Sequence, residues 1–346
     1  MIRTLLAPFA LVAAALPAAA SEAPPPSPAA TPAKPALAPS EIVAGAPASD
    51  WVGMAPADLL VMELAPDAKG RTRRVVIQLM PPPFSQGWIG NIRKLAAAHW
   101  WDGTSVNRVQ DNYVAQWGDA DGEDKAKAKA LPTGLVKVPE SQYISFSAHQ
   151  IYYTVRTLVT PSRIRPKDAY APISTFVRGW PVGVNDSGYR FRGKIPRGVV
   201  ADPPPPPSLW PIHCYGMVGV GRDLSPDTGS GAELYSVIGT PPRHLDRNIA
   251  LVGRVIEGIE HLSSLPRGTE VLGFYKTADE RTPIRSIRLA SELPAAEQPR
   301  FEYLSTESAS FARYADARAN RRDPFFIRPA GGADICNVPV PVRRAK

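Results

Sequence analysis

Short apolar runs bounded by turn-forming residues begin after residue 50. Residues 59–64 (LLVMEL) and 73–79 (RRVVIQL) read as two strands, and Pro66, Asp67 and Gly70 between them supply the turn of a hairpin. Ser85 then stands where an N-cap belongs. Trp88, Ile89, Ile92, Leu95 and Ala96 recur at helical spacing, which predicts one amphipathic helix ending near His99. Two short strand-like runs follow at 105–109 and 113–117, separated by Asp111 and Asn112. From about residue 120 to 212 the pattern weakens into proline, glycine and charged residues, and the run at 152–159 suits either a strand or a helix. That length without periodicity reads as an insertion of elaborated loops. Regularity returns at 214–221, 233–238 and 250–255, before a predicted helix over 257–265 and a last strand near 284–289. Many short strands with two helices predict a mainly β chain closed into an antiparallel barrel. A C-terminal extension, 291–346, holds a predicted helix over 306–321 and the proline-bearing VPVPV of 338–342.

Composition narrows this picture. A chain of 346 residues with 44% hydrophobic and 21% charged content can bury a full core, which excludes disordered and fibrous classes. Prolines, 39 in all, are densest at 22–40 and 203–207, marking linker or loop, so 21–50 reads as a Pro/Ala-rich linker ahead of a domain over 51–290. Residues 1–20 carry one arginine, an apolar run too short to span a bilayer, and small residues ending at Ala18, Ala19 and Ala20. These are the marks of a secretory signal peptide, with an uncleaved anchor as the alternative, and they imply a periplasmic or secreted protein. No later segment has the length of a span, so no membrane insertion is expected after cleavage.

The formal charge of +8 raises the question of nucleic acid. The one tight basic cluster, Lys125, Lys127 and Lys129, is interleaved with alanines beside Asp121, Glu123 and Asp124, and no basic stripe alternates with stacking aromatics. It reads as a solvated loop, and nucleic acid is not an expected partner. Cys214 and Cys336 permit a single intramolecular bridge, or else two buried thiols. The five histidines form neither HExxH nor a close ligand pair, and the chain has no GxSxG elbow and no Walker lysine. Gly219 and Gly221 imitate a phosphate loop, but Leu224 stands in place of its third glycine. Neither metal nor cofactor is expected.

Two ordered blocks point elsewhere. Trp101-Asp102-Gly103-Thr104, followed by Ser105, Val106, Asn107, Arg108 and Val109, resembles the cyclophilin pattern of an aromatic-led DGT, a variable residue, phenylalanine, histidine and the catalytic arginine; Val106 and Asn107 replace the phenylalanine and histidine. Tyr113, Val114, Gln116, Gly118 and Asp119 fall where that family has an aromatic, an aliphatic, a glutamine and a GGD turn, with Trp117 replacing the first glycine. Downstream, Gly216, Met217, Gly219 and Gly221 resemble its LSMANAG strand, 233–238 its SQFFI strand, Leu245 and Asp246 its LDG turn, and 250–258 its VVFGKVxEG; Asn91, Ile92 and Leu95 match its NFxxL. The resemblance implies an eight-stranded barrel with two capping helices and a peptidyl-prolyl cis/trans isomerase acting on proline-containing segments of exported proteins. It assigns Arg108 the catalytic role. It assigns substrate contacts to Tyr113, Val114, Gln116, Val218, Gly219, Glu233, Tyr235, His244, Leu245 and Ile249. Glu233 replaces the glutamine of SQFF, Ile249 a histidine and His244 a tryptophan or histidine. A barrel that binds proline segments without useful turnover is the alternative these departures leave open.

Overall fold

The hairpin at the start of the domain forms because Asp67 closes its turn: one carboxylate oxygen accepts from the main-chain N–H of Lys69 and of Arg71, each at 2.9 Å, and Gly70 takes a positive φ. The strands it joins, β2 (Leu59–Leu64) and β3 (Arg73–Leu79), pair from Leu59 opposite Gln78 to Leu64 opposite Arg73. Their apolar runs are continuous because both faces are covered. Leu60, Met62, Leu64, Val75 and Ile77 face the main core, while Leu59, Val61 and Val76 join a second cluster with Met54, Ala290 and Phe301.

The computed structural model describes residues 35–145, 168–185 and 208–345. The predicted signal peptide and the run at 152–159 lie outside them. Among the described residues no helix is long and apolar enough to cross a membrane.

The remaining strands among the described residues are β1 (Trp51–Gly53), β4 (Ser105–Val109), β5 (Val114–Gly118), β6 (Ile173–Val177), β7 (Trp180–Asn185), β8 (Ser208–Pro211), β9 (Met217–Val220), β10 (Leu234–Val237), β11 (Leu251–Glu257), β12 (Thr282–Leu289), β13 (Phe301–Leu304) and β14 (Val342–Arg344). Eight of them close an antiparallel barrel in the order β10-β5-β4-β12-β2-β3-β11-β9, with β9 returning to β10. The mainly β, eight-stranded barrel is therefore the fold.

Among the described residues the α-helices are α1 (Pro39–Ala44), α2 (Gln86–Ala97), α3 (Glu260–Ser263) and α4 (Ala309–Ala319). Helix α2 buries Trp88, Ile89, Ile92, Leu95 and Ala96, as the spacing predicts. Ser85 does precede it, but takes a left-handed conformation and makes no side-chain cap. The second predicted helix shrinks to the single turn α3. Strand β11 continues across a bulge as far as Glu257 opposite Val76, and Gly258 then turns at φ 83°, where a Cβ would lie 2.0 Å from the Arg74 carbonyl oxygen.

Two further readings change. The insertion is more than loops: β6, β7 and β8 form a three-stranded antiparallel sheet, extended by a bridge between Ser145 and Leu209. The stretch assigned to linker is partly folded, since α1 packs on α4 and β1 pairs with β13 of the extension, which also holds β14. Phe176 of the insertion meets Phe311 of α4 edge to face, with ring centroids 5.1 Å apart. Arg254 of β11 lies between the rings of Trp180 and Tyr303, at 4.6 and 5.9 Å, and donates to Gln78 and to the Gly179 carbonyl. Burial lowers its pKa to about 10. Cys214 and Cys336 are bonded, with Cα atoms 5.1 Å apart across 122 residues of chain.

Candidate active site

Strand registers place four candidate residues in one row. Gly219 of β9 faces Tyr235 of β10, Tyr235 faces Gln116 of β5, and Gln116 faces Arg108 of β4 across a bulge. Neighbouring strands lie about 4.8 Å apart, so the row brings Arg108 and Tyr235 onto one side of the barrel within reach of a single dipeptide.

Arg108 is held by its own chain. Its Nη1 donates to Gln116 Oε1 at 3.1 Å, its Nε to the Leu272 carbonyl at 2.7 Å, and its Nη2 to Gln110 Oε1. The guanidinium also stands 5.8 Å from the Tyr113 ring centroid and 5.3 Å from that of Phe274. Leu272 and Phe274 belong to the segment after α3, which runs beside β4: Gly268 and Tyr275 donate their main-chain N–H to the carbonyls of Val109 and Asn107. Burial pulls the Arg108 pKa below its ordinary value, opposed in part by Tyr113, and the group stays charged at neutral pH. Of its five N–H donors, three are directed as above, leaving two for a ligand among the described residues.

Beside the cation lies an apolar wall. Val114, Tyr235 and Val237 form a cluster of their own on which Tyr113 and Ile249 pack. Tyr235 lies against Gly219, where a Cβ would come within 2.3 Å of Cζ and of the hydroxyl. Any side chain at this position would force the tyrosine ring to shift.

The other candidates separate. The Val218 side chain, 1% exposed, belongs to the main barrel core and is withdrawn from the wall, because alternation turns it away from Gly219. Leu245 is partly buried and His244 exposed, both on the 3-10 turn Arg243–Leu245 and outside that cluster. Glu233 reaches back to the end of β5, where Oε1 accepts from the Asp119 N–H at 2.6 Å and its carboxyl fills the space a Cβ on Gly118 would take. Burial pushes its pKa up to about 7, against hydrogen bonds from the Asp119 amide, Gln116 and Asn107. Its carboxylate is thus committed within the chain, behind Gln116. Leu272, Phe274 and Gln110 were missed, since no spacing or residue type marks a distant loop carbonyl as a neighbour of Arg108.

A family model for cyclophilin type peptidyl-prolyl cis-trans isomerase/CLD matches residues 86–290. Among solved structures, cyclophilin AquaCyp293 from Hirschia baltica aligns with a TM-score of 0.60 at 19% identity, covering 86% of this chain and 94% of that one. A cyclophilin-type peptidyl-prolyl cis-trans isomerase of Cryptosporidium parvum aligns at a TM-score of 0.37 and 11% identity over 67% and 96% of the two chains. No curated protein matches the sequence. The barrel, the row across β9, β10, β5 and β4, and a family match spanning more than half its length make this chain a member of the cyclophilin-type peptidyl-prolyl cis-trans isomerase family.

Proposed function

We propose that this protein isomerises X-Pro bonds in exported polypeptides, with Arg108 as the group that stabilises the twisted amide. Rotation about a prolyl bond loses amide resonance, against a barrier of about 18–20 kcal/mol, and needs neither nucleophile nor metal. A fixed cation that donates to the pyramidal prolyl nitrogen and a neighbouring carbonyl favours that state over the planar one. The observation that carries this reading is Arg108 held by Gln116 and Leu272 with two donors to spare, in one row with the aromatic wall of Tyr113 and Tyr235. On it, the proline ring rests against Tyr113, Val114, Tyr235 and Ile249, and Gln116 meets the substrate backbone. Export is supported by residues 1–20 and by the Cys214–Cys336 bridge, which suits an oxidising compartment.

A second reading, a proline-segment binder without turnover, draws on Ile249 and on the three Arg108 donors already engaged. Cis/trans exchange in a short X-Pro peptide, followed by NMR with wild-type protein and Arg108→Ala, separates them. Acceleration that depends on Arg108 supports the isomerase; binding without acceleration leaves the binder.

A further inference from the structure

Tyr235 is held by more than packing. Its hydroxyl lies 3.0 Å from Nε2 of His213, a fully buried residue at the end of the insertion, and the two rings stack at 11° with centroids 6.5 Å apart. His213 Nδ1 is 2.8 Å from Asp246 Oδ1, which also accepts the His213 main-chain N–H at 2.9 Å. The second Asp246 oxygen accepts from Arg243 Nε at 2.7 Å, and Arg243 Nη2 donates to Asp168, in the insertion, at 2.9 Å. All four side chains are at most 5% exposed.

We infer that Asp168, Arg243, Asp246 and His213 form a buried relay of positioning residues that fixes Tyr235 as the floor of the prolyl pocket and so couples the insertion to the site. The inference rests on the isomerase reading above and adds to it a task for the insertion.

The chemistry of the partners sets the direction of every bond. An ionised carboxylate only accepts, so Nδ1 carries the imidazole proton; the neutral ring then offers Nε2 as acceptor, and the tyrosine hydroxyl must donate. Burial lowers the His213 pKa, with Asp246 opposing, which keeps the ring neutral and this arrangement in place. A hydroxyl that donates inward presents the ring face, not the oxygen, to a ligand. Gly219 supplies the room this pose needs. Arg243 also opens the 3-10 turn carrying His244 and Leu245, so one relay anchors the floor and an adjoining turn together. Next to His213, Cys214 is bonded to Cys336, which ties the same point to the C-terminal extension.

A network that served folding alone would leave substrate affinity untouched in variants that fold. Asp168→Ala cuts the relay at its far end, and Tyr235→Phe deletes one oxygen. With the peptide Ala-Ala-Pro-Phe, each is expected to raise KM about ten-fold with kcat within about two-fold of wild type, whereas Arg108→Ala lowers kcat. Asp168→Glu, which keeps a carboxylate, should restore part of the KM. A wild-type KM in a folded Asp168→Ala or Tyr235→Phe chain overturns the relay. If the wild-type chain shows no turnover, that failure belongs to the isomerase reading, and 15N NMR of His213 decides the relay. A Nδ1-protonated ring that does not titrate near its ordinary value of about 6.5, and whose Nε2 resonance moves in both variants, supports it. A His213 that titrates there, or is blind to Asp168, overturns it.

Discussion

Replacing Glu233 by glutamine isolates one carboxyl group whose burial has a calculable consequence. Its pKa stands near 7 in the folded chain against an ordinary 4.5. Between those values the folded protein keeps a proton that the unfolded chain has released. The stability Glu233 confers therefore falls as pH rises through that window and stays low above it. At about 1.36 kcal/mol for each unit of difference, the handicap above pH 7 amounts to about 3 kcal/mol. Glutamine does not titrate, and its carbonyl can still accept from the Asp119 N–H. Urea denaturation of both chains at about pH 5 and pH 8 compares them while cancelling the other carboxylates. Urea also leaves the ionic strength unchanged. Glu233→Gln should gain about 2–3 kcal/mol on wild type between the two conditions, with the variant the more stable at the higher pH. A gap that does not change with pH, or a variant less stable at pH 8, would refute the claim that burial outweighs the hydrogen bonds around this carboxyl.

Gly219→Ala puts a methyl into the Tyr235 ring, and an overpacked contact of this kind should cost about 1–3 kcal/mol in denaturant melts while weakening binding of an X-Pro peptide; an unchanged melt and unchanged affinity would mean that Tyr235 does not depend on this glycine. Opening the Cys214–Cys336 bridge, by Cys336→Ser or by reductant, frees a loop of 122 residues in the unfolded chain, and stability should drop by about 2–5 kcal/mol in the same assay. Equal melts of the reduced and oxidised protein would count against the bridge as a staple of the extension.

Legibility followed the range of the contacts. Strands β4, β5 and β9 to β11 were readable because their signals are local: a DGT turn, short apolar runs, and glycines where backbones approach. The row from Gly219 to Arg108 is encoded less directly, since it depends on how four strands register across a bulge, and only the family resemblance put its members together. The sheet β6–β8 escaped notice because Pro181, Gly179 and Gly183 interrupt any period, and its apolar residues are buried by α4 and the extension far along the chain. Helix α3 was overextended because Glu257 continues a strand whose partner, Val76, no helical pattern reveals. Nothing in the spacing of His213, Tyr235 and Asp246 announces a relay, and the carbonyl that holds Arg108 Nε comes from Leu272, whose own side chain points to solvent.

On the proposed function, Arg108 turns an aromatic groove into an isomerase site. Exchange spectroscopy on Ala-Ala-Pro-Phe with wild type, Arg108→Ala and Arg108→Lys tests it most directly. Wild type should accelerate cis/trans exchange far beyond the free peptide, and Arg108→Ala should lose about 10²-fold in rate while still binding. Arg108→Lys should recover only part, because a point charge cannot hold Gln116 and Leu272 and donate to the substrate as a planar fork does. Exchange no faster than in the peptide alone, or an Arg108→Ala chain as active as wild type, would contradict the account.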